Sequence, residues 1–79
     1  MSRASETWEM FTIYHRPADI PEAAYVVRRF LVRADGIFPA DLLGTGPTLD
    51  HARLLVPPSA DVCLSPNAND EPHIVETWV

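Results

Sequence analysis

Three histidines, one cysteine and six arginines give this chain its chemical range. Histidine acts as a general base near neutral pH and is the commonest metal ligand. His15, His51 and His73 stand far apart, however, and none shows the H-x₃₋₅-H or H-E-x-x-H spacing that aims two imidazoles at one ion. Cys63 is the remaining soft ligand, on yet another segment, so surface or strand-end histidines are expected and no metal or other cofactor is assigned. A reactive thiol needs nearby positive charge, and Val62 and Leu64 supply none, so Cys63 reads as inert. Asn67-Ala68-Asn69-Asp70-Glu71 gathers the hard oxygen ligands that calcium prefers. It lacks the Gly at position 6 and the bidentate Glu at position 12 of a calcium loop. Asn and Asp also build ordinary turns, which is the expected use here. Gly44-Thr45-Gly46 has neither the lysine nor the spacing of a phosphate loop and reads as a turn.

The arginines carry more. Arg16, Arg28, Arg29 and Arg33 fall within the first two predicted strands, and a hairpin would draw their guanidinium groups into an anion-binding patch. The alternative is that they neutralise the excess carboxylates. Glu76 and Arg29 are each a lone charge between apolar residues two positions away: Ile74 and Trp78 around the one, Val27 and Leu31 around the other. Such a pair suits an acid–base catalyst and suits a cross-strand salt bridge equally well. The candidate ligand-binding or interface set is therefore Arg16, Arg28, Arg29, Arg33, Glu76 and Trp78, with no catalytic residue assigned.

The elements that must position these groups follow from periodicity and breakers. Residues 1–9 are polar apart from Trp8 and read as a flexible N-terminal tail preceding a single domain over 10–79. Met10 to Arg16 is aromatic and β-branched, which predicts a strand. Pro17, Asp19 and Pro21 then force a loop. Ala24 to Arg33 predicts the longest strand, with Val26, Arg28, Phe30 and Val32 on one face and Tyr25, Val27, Arg29, Leu31 and Arg33 on the other. Asp35-Gly36 suits a tight turn, and Ile37 to Leu43 returns as a shorter strand whose Pro39 marks an edge. Thr48 is a fit N-cap for a two-turn helix in which Leu49, Ala52, Leu55 and Val56 form the apolar stripe, ended by Pro57-Pro58. Short strands are expected at Asp61–Ser65 and His73–Val79, separated by a polar loop. The fold class is α+β: a small, mainly antiparallel sheet of four or five strands with one short helix on one face, in the order ββ(β)αββ.

Composition limits the function classes. The 79 residues carry a formal charge of −5, from six arginines against eleven acids, and contain no lysine. That balance argues against general nucleic-acid binding, which relies on cations neutralising phosphates. One cysteine excludes an internal disulfide, and a core this small supplies only about 3–5 kcal/mol. No apolar run approaches the ~18 residues of a membrane helix, and no leader of the exported type is visible. A cytoplasmic location is the expectation, with no membrane contact.

The segment Phe11-Thr12-Ile13-Tyr14, then Pro17, Asp19 and Pro21, then Tyr25-Val26-Val27-Arg28-Arg29-Phe30, resembles a group of small bacterial proteins of uncharacterised function. Thr48-Leu49-Asp50-His51-Ala52-Arg53 and Asp70-Glu71-Pro72-His73-Ile74-Val75-Glu76-Thr77-Trp78 are similar to the later portions of that group. The resemblance spans Phe11 to Val79 and implies no activity. The nine-residue lead-in departs from the pattern, which suggests Met10 as an alternative start.

Two function classes remain. The favoured one is a small cytoplasmic interaction or ligand-binding module without catalysis of its own. The alternative is a small enzyme, or enzyme subunit, with an Arg/Glu/His site in a sheet-face cleft. A weaker third is an acidic chain that inhibits a basic partner protein through charge. Self-association is also expected. A helix about 10–12 Å across covers only part of one face of a sheet whose five strands span roughly 19 Å. The predicted long strand is apolar on both faces, so a homodimer through the opposite face would bury the rest, with Arg29, Glu76 and Trp78 in the interface.

Overall fold

The structure, a computed structural model, describes residues 7–64 and 73–79. Five strands build one antiparallel sheet: β1 (Trp8–His15), β2 (Tyr25–Arg33), β3 (Gly36–Gly46), β4 (Cys63–Leu64) and β5 (Ile74–Trp78). One helix, α1 (Leu49–Leu55), lies between β3 and β4 in the chain. Across the sheet the order is β3-β2-β1-β5-β4. The α+β class, the antiparallel pairing and the helix on one face agree with the sequence reading.

Central position explains the composition of β1. It pairs with β2 along its whole length and with β5 over part of it. Phe11, Thr12, Ile13 and Tyr14 are consequently all buried, which is why this strand is apolar without alternation. Val26 and Val27 are buried on opposite faces of β2 in the same way. Ile13, Val27 and Ala52 of α1 form the core, with Leu49, Leu55, Val56, Leu43, Tyr25 and Trp78 packed round it. Side chains of the Ile13 and Val27 type stabilise the fold by roughly 1.5–3 kcal/mol each on burial.

The helix starts where its capping chemistry places it. Thr48 is extended and its hydroxyl accepts the His51 N–H at 3.1 Å, while Asp50 lies in the first turn and Arg53 in the last, as the dipole favours. Gly44 and Gly46, by contrast, do not break the chain. β3 runs through both, and their spacing of two sets both beneath α1. A Cβ on Gly46 would sit 2.8 Å from His51 Cδ2, and one on Gly44 would sit 3.1 Å from Leu55 Cδ1. The pair forms a saddle on which the helix rests.

Other boundaries shift for physical reasons. The first strand begins at Trp8, so Trp8 and Glu9 belong to the sheet and not to the tail; Trp8 pairs with Val32 and Glu9 with Leu31. Of the rest of the expected tail, Thr7 is exposed and precedes the strand, and residues 1–6 lie outside the described residues, as does the loop at 65–72 with its calcium-like run. The β2–β3 turn is Ala34-Asp35, one residue earlier than expected, and Gly36, at φ 146°, opens β3. β3 extends to Gly46 because two register shifts, at Val27/Arg28 and Arg29/Phe30, let it bend round the twisted sheet. Pro39 lies on this edge strand, opposite Phe30. No helix among the described residues is long and apolar enough to cross a membrane.

Candidate functional site

Register fixes which charges meet. Arg28 pairs with Thr12 and Arg29 with Phe11, so the two arginines point to opposite faces. The helix face carries Phe11, Ile13, Tyr25, Val27, Arg29 and, from β5, Glu76 and Trp78. The open face carries Trp8, Met10, Thr12, Tyr14, Val26, Arg28, Phe30 and Val32, with Ile37, Pro39 and Leu42 continuing it onto β3.

The expected arginine patch is therefore dispersed, and Arg28, Arg29 and Arg33 each meet a partner of their own. Arg29 bridges three strands: Nε donates to Asp41 at 2.7 Å and Nη1 to Glu9 at 2.8 Å. These two bonds raise its already high pKa. Arg33 lies over the Phe38 ring, 5.6 Å from its centroid. Arg16 sits beyond the end of β1 at φ 49°, where the chain turns away from the sheet. Arg28 pairs with Asp19 of the β1–β2 connection and lies over the Tyr14 ring, 5.8 Å from its centroid.

Nor does Arg29 meet Glu76. The Glu76 carboxylate takes both Nε and Nη2 of Arg53, at 3.0 and 2.5 Å, and the Trp78 indole N–H at 3.2 Å. The fork from Arg53 holds the Glu76 carboxyl below the usual carboxylate range, against a smaller opposing effect of burial. Arg53 came from the helix, and nothing in the alternation of β2 and β5 pointed to it. Cys63 shares this neighbourhood. Burial first, and then the Glu76 carboxylate, push its thiol pKa up, with Arg53 opposing, so the neutral thiol dominates near pH 7. The cluster ties α1 to β5 and leaves no activated nucleophile.

The histidines divide likewise. His15 stacks on Tyr25 with centroids 4.8 Å apart, and His51 packs over Gly46. His73 meets the end of β1, its Nδ1 lying 3.2 Å from the His15 carbonyl oxygen. Among the described residues no group of three His, Cys, Asp or Glu side chains is placed to hold a metal ion.

What the fold does build is a groove of ≈ 570 Å³. Its floor includes Tyr14, Arg28 and Phe30; Pro39 and Leu42 of the edge strand line one side, and Pro17, Ala18 and Asp19 line another, with His73 beside them. The connection over residues 16–24 forms that second wall. It is closed at its base by the Arg16 N–H donating to the Ala24 carbonyl at 2.9 Å, and folded by two successive turns. Pro17 and Pro21 stiffen it, which is the physical use of the Pro-x-Asp-x-Pro spacing. Of the residues expected to act, the groove gathers Arg28 and Arg29, the latter with its guanidinium committed to Glu9 and Asp41. Sequence reasoning treated Asp19 only as a loop residue and missed Tyr14; an acid between two prolines was the one available signal. Comparison of the chain with protein-family models, with curated proteins and with solved structures finds no match in any of the three.

Proposed function

We propose that this chain is a small cytoplasmic binding module, without catalysis of its own, whose site is the groove between the β1–β2 connection and the edge strand β3. One observation carries the reading: a concavity of ≈ 570 Å³ with an aromatic and proline lining round a single facing arginine. Sites for small ligands have this size and this mixture of apolar wall and few polar groups. The enzyme alternative required Arg29, Glu76 and a histidine to converge in a cleft, and Glu76 is instead bound to Arg53, on the face away from the groove. A small-molecule fragment set screened by amide chemical shifts tests the proposal. Clustered shifts at Tyr14, Arg28, Phe30 and Leu42 are expected, and an absence of groove shifts across the set overturns it.

The same open face favours self-association at its outer end. Trp8, Val32 and Ile37 form one cross-strand row, with Trp8 65% and Ile37 58% exposed. Burying that row against a second copy would add stability that a short chain lacks. Arg29, Glu76 and Trp78 lie on the helix face and take no part in such an interface. Light scattering after size exclusion decides it: a mass of one chain at micromolar concentration overturns the homodimer.

A further inference from the structure

The guanidinium in the groove differs in its pairing from Arg29 and Arg53. Arg29 holds two carboxylates from neighbouring strands, and Arg53 holds Glu76 and Asp50. Among the described residues Arg28 takes one carboxylate, Asp19, and that one arrives from a connection and not from the sheet. Asp19 is 60% exposed and Arg28 32% exposed in their side chains, so water competes for both. A pair this wet contributes little net stability, and exchanging one carboxylate for another costs correspondingly little. Arg28 itself stays positioned without Asp19, since it lies over the Tyr14 ring and its strand pairs on both sides. Around it, Tyr14, Pro17, Phe30, Pro39 and Leu42 give an apolar lining.

We propose that the groove takes a small monocarboxylate with an apolar body, its carboxylate on Arg28 in the place that Asp19 now fills. Asp19 is then an internal stand-in for the ligand, displaced on binding. This inference rests on the groove being a binding site and adds the class of ligand. One planar guanidinium matches one carboxylate through its parallel N–H groups. A dianion such as phosphate is disfavoured by the −5 charge of the chain. The remaining walls offer the apolar body stacking and dispersion contacts.

Titration of the ¹⁵N-labelled full chain with phenylacetate, with phenylacetamide and inorganic phosphate as controls, tests this at the amides of Asp19, Arg28 and Phe30. Saturable shifts with phenylacetate are expected, with affinity about tenfold above that of the amide and of phosphate. Arg28→Gln should bring the acid down to the level of the amide. Asp19→Asn gives the decisive sign: removal of the competing anion should tighten phenylacetate binding several-fold. Weaker binding to Asp19→Asn would show that Asp19 only holds Arg28 in place, and would overturn the proposal. Equal shifts from acid and amide would overturn it too while leaving the groove as a site for neutral ligands, so the two readings fail separately. Tighter binding of phosphate than of phenylacetate, or no shift from any of the three, also overturns it.

Discussion

One sheet here has two unlike ends. Near Ile13 and Val27 it is capped by α1 and is dry; toward Phe30, Ile37 and Phe38 the same strands run on without cover. Composition does not separate the ends, since β2 is apolar on either side of its central arginine pair, at Tyr25–Val27 and at Phe30–Val32. What separates them is the reach of a seven-residue helix and the two glycines that let it sit close. In the covered half, charge gathers round Arg53, which holds Asp50 on its own helix and Glu76 in the fork that fastens helix to sheet. In the uncovered half it appears as the exposed Glu9–Arg29–Asp41 bridge and the Arg28–Asp19 pair. Stability and the proposed binding are thus drawn from different regions of one small layer.

The sharpest way to break the contrast is to delete equal volumes from each end. Ile13→Ala should cost about 2–5 kcal/mol, enough to leave much of so small a chain unfolded at room temperature. Ile37→Ala, at a 58% exposed position, should stay within about 0.5 kcal/mol for the monomer. Urea unfolding measures both, and similar losses would erase the distinction. Next in size is the saddle. Gly46→Ala should cost about 1–3 kcal/mol, because the new methyl meets the His51 ring close to its attachment. Gly44→Ala should cost less, since the Leu55 tip it meets can turn aside. Thermal melts of the two variants give the ranking, and the reverse order would show that the helix does not rest there.

Acid should loosen the covered half first. Glu76 has a carboxyl pKa below its unfolded value, chiefly through the Arg53 hydrogen bonds. Its contribution is therefore present above the unfolded carboxylate range, about pH 4.3, and is lost as pH falls through the lower folded value. Melts from pH 7 to pH 3 should show wild type losing more stability than Glu76→Gln. Parallel curves would mean that the fork contributes nothing. The smallest effect belongs to the exposed bridge. Asp41→Asn should lower the melting point slightly at low salt and not at high salt, because solvent ions screen pairs this exposed.

Local chemistry was legible and distant pairing was not. Thr48 as cap, Pro57 as terminator, Pro39 as an edge marker and the alternation along β2 all depend on neighbours in sequence, and each stands where it was read. Gly44 and Gly46 were misread as a turn because a glycine needed for close approach looks the same in sequence as one needed for bending. The partner of Glu76 was misassigned for a related reason. Two lone charges in alternating strands suggested each other, while Arg53 sat on a helix whose docking direction no periodicity encodes. Arg28 and Arg29 were grouped as a patch, although adjacent residues in a strand face apart. The groove depends on how far the 16–24 connection folds back over the sheet, a quantity set by Pro17, Pro21 and the Arg16 backbone together.

The strand order has a consequence for how the chain is made. Among the described residues β4 pairs only with β5, and β5 lies against β1 from the other end of the chain. During synthesis the β2–β3 hairpin can form as soon as it emerges, and β1 can join it. Cys63 and Leu64 then wait, without their native partner, until Ile74 to Trp78 has been translated. In the interval the flank of β1 that β5 will occupy is an open template beside Phe11 and Ile13. The nascent chain is most prone to pair with the wrong neighbour just before its last strand arrives.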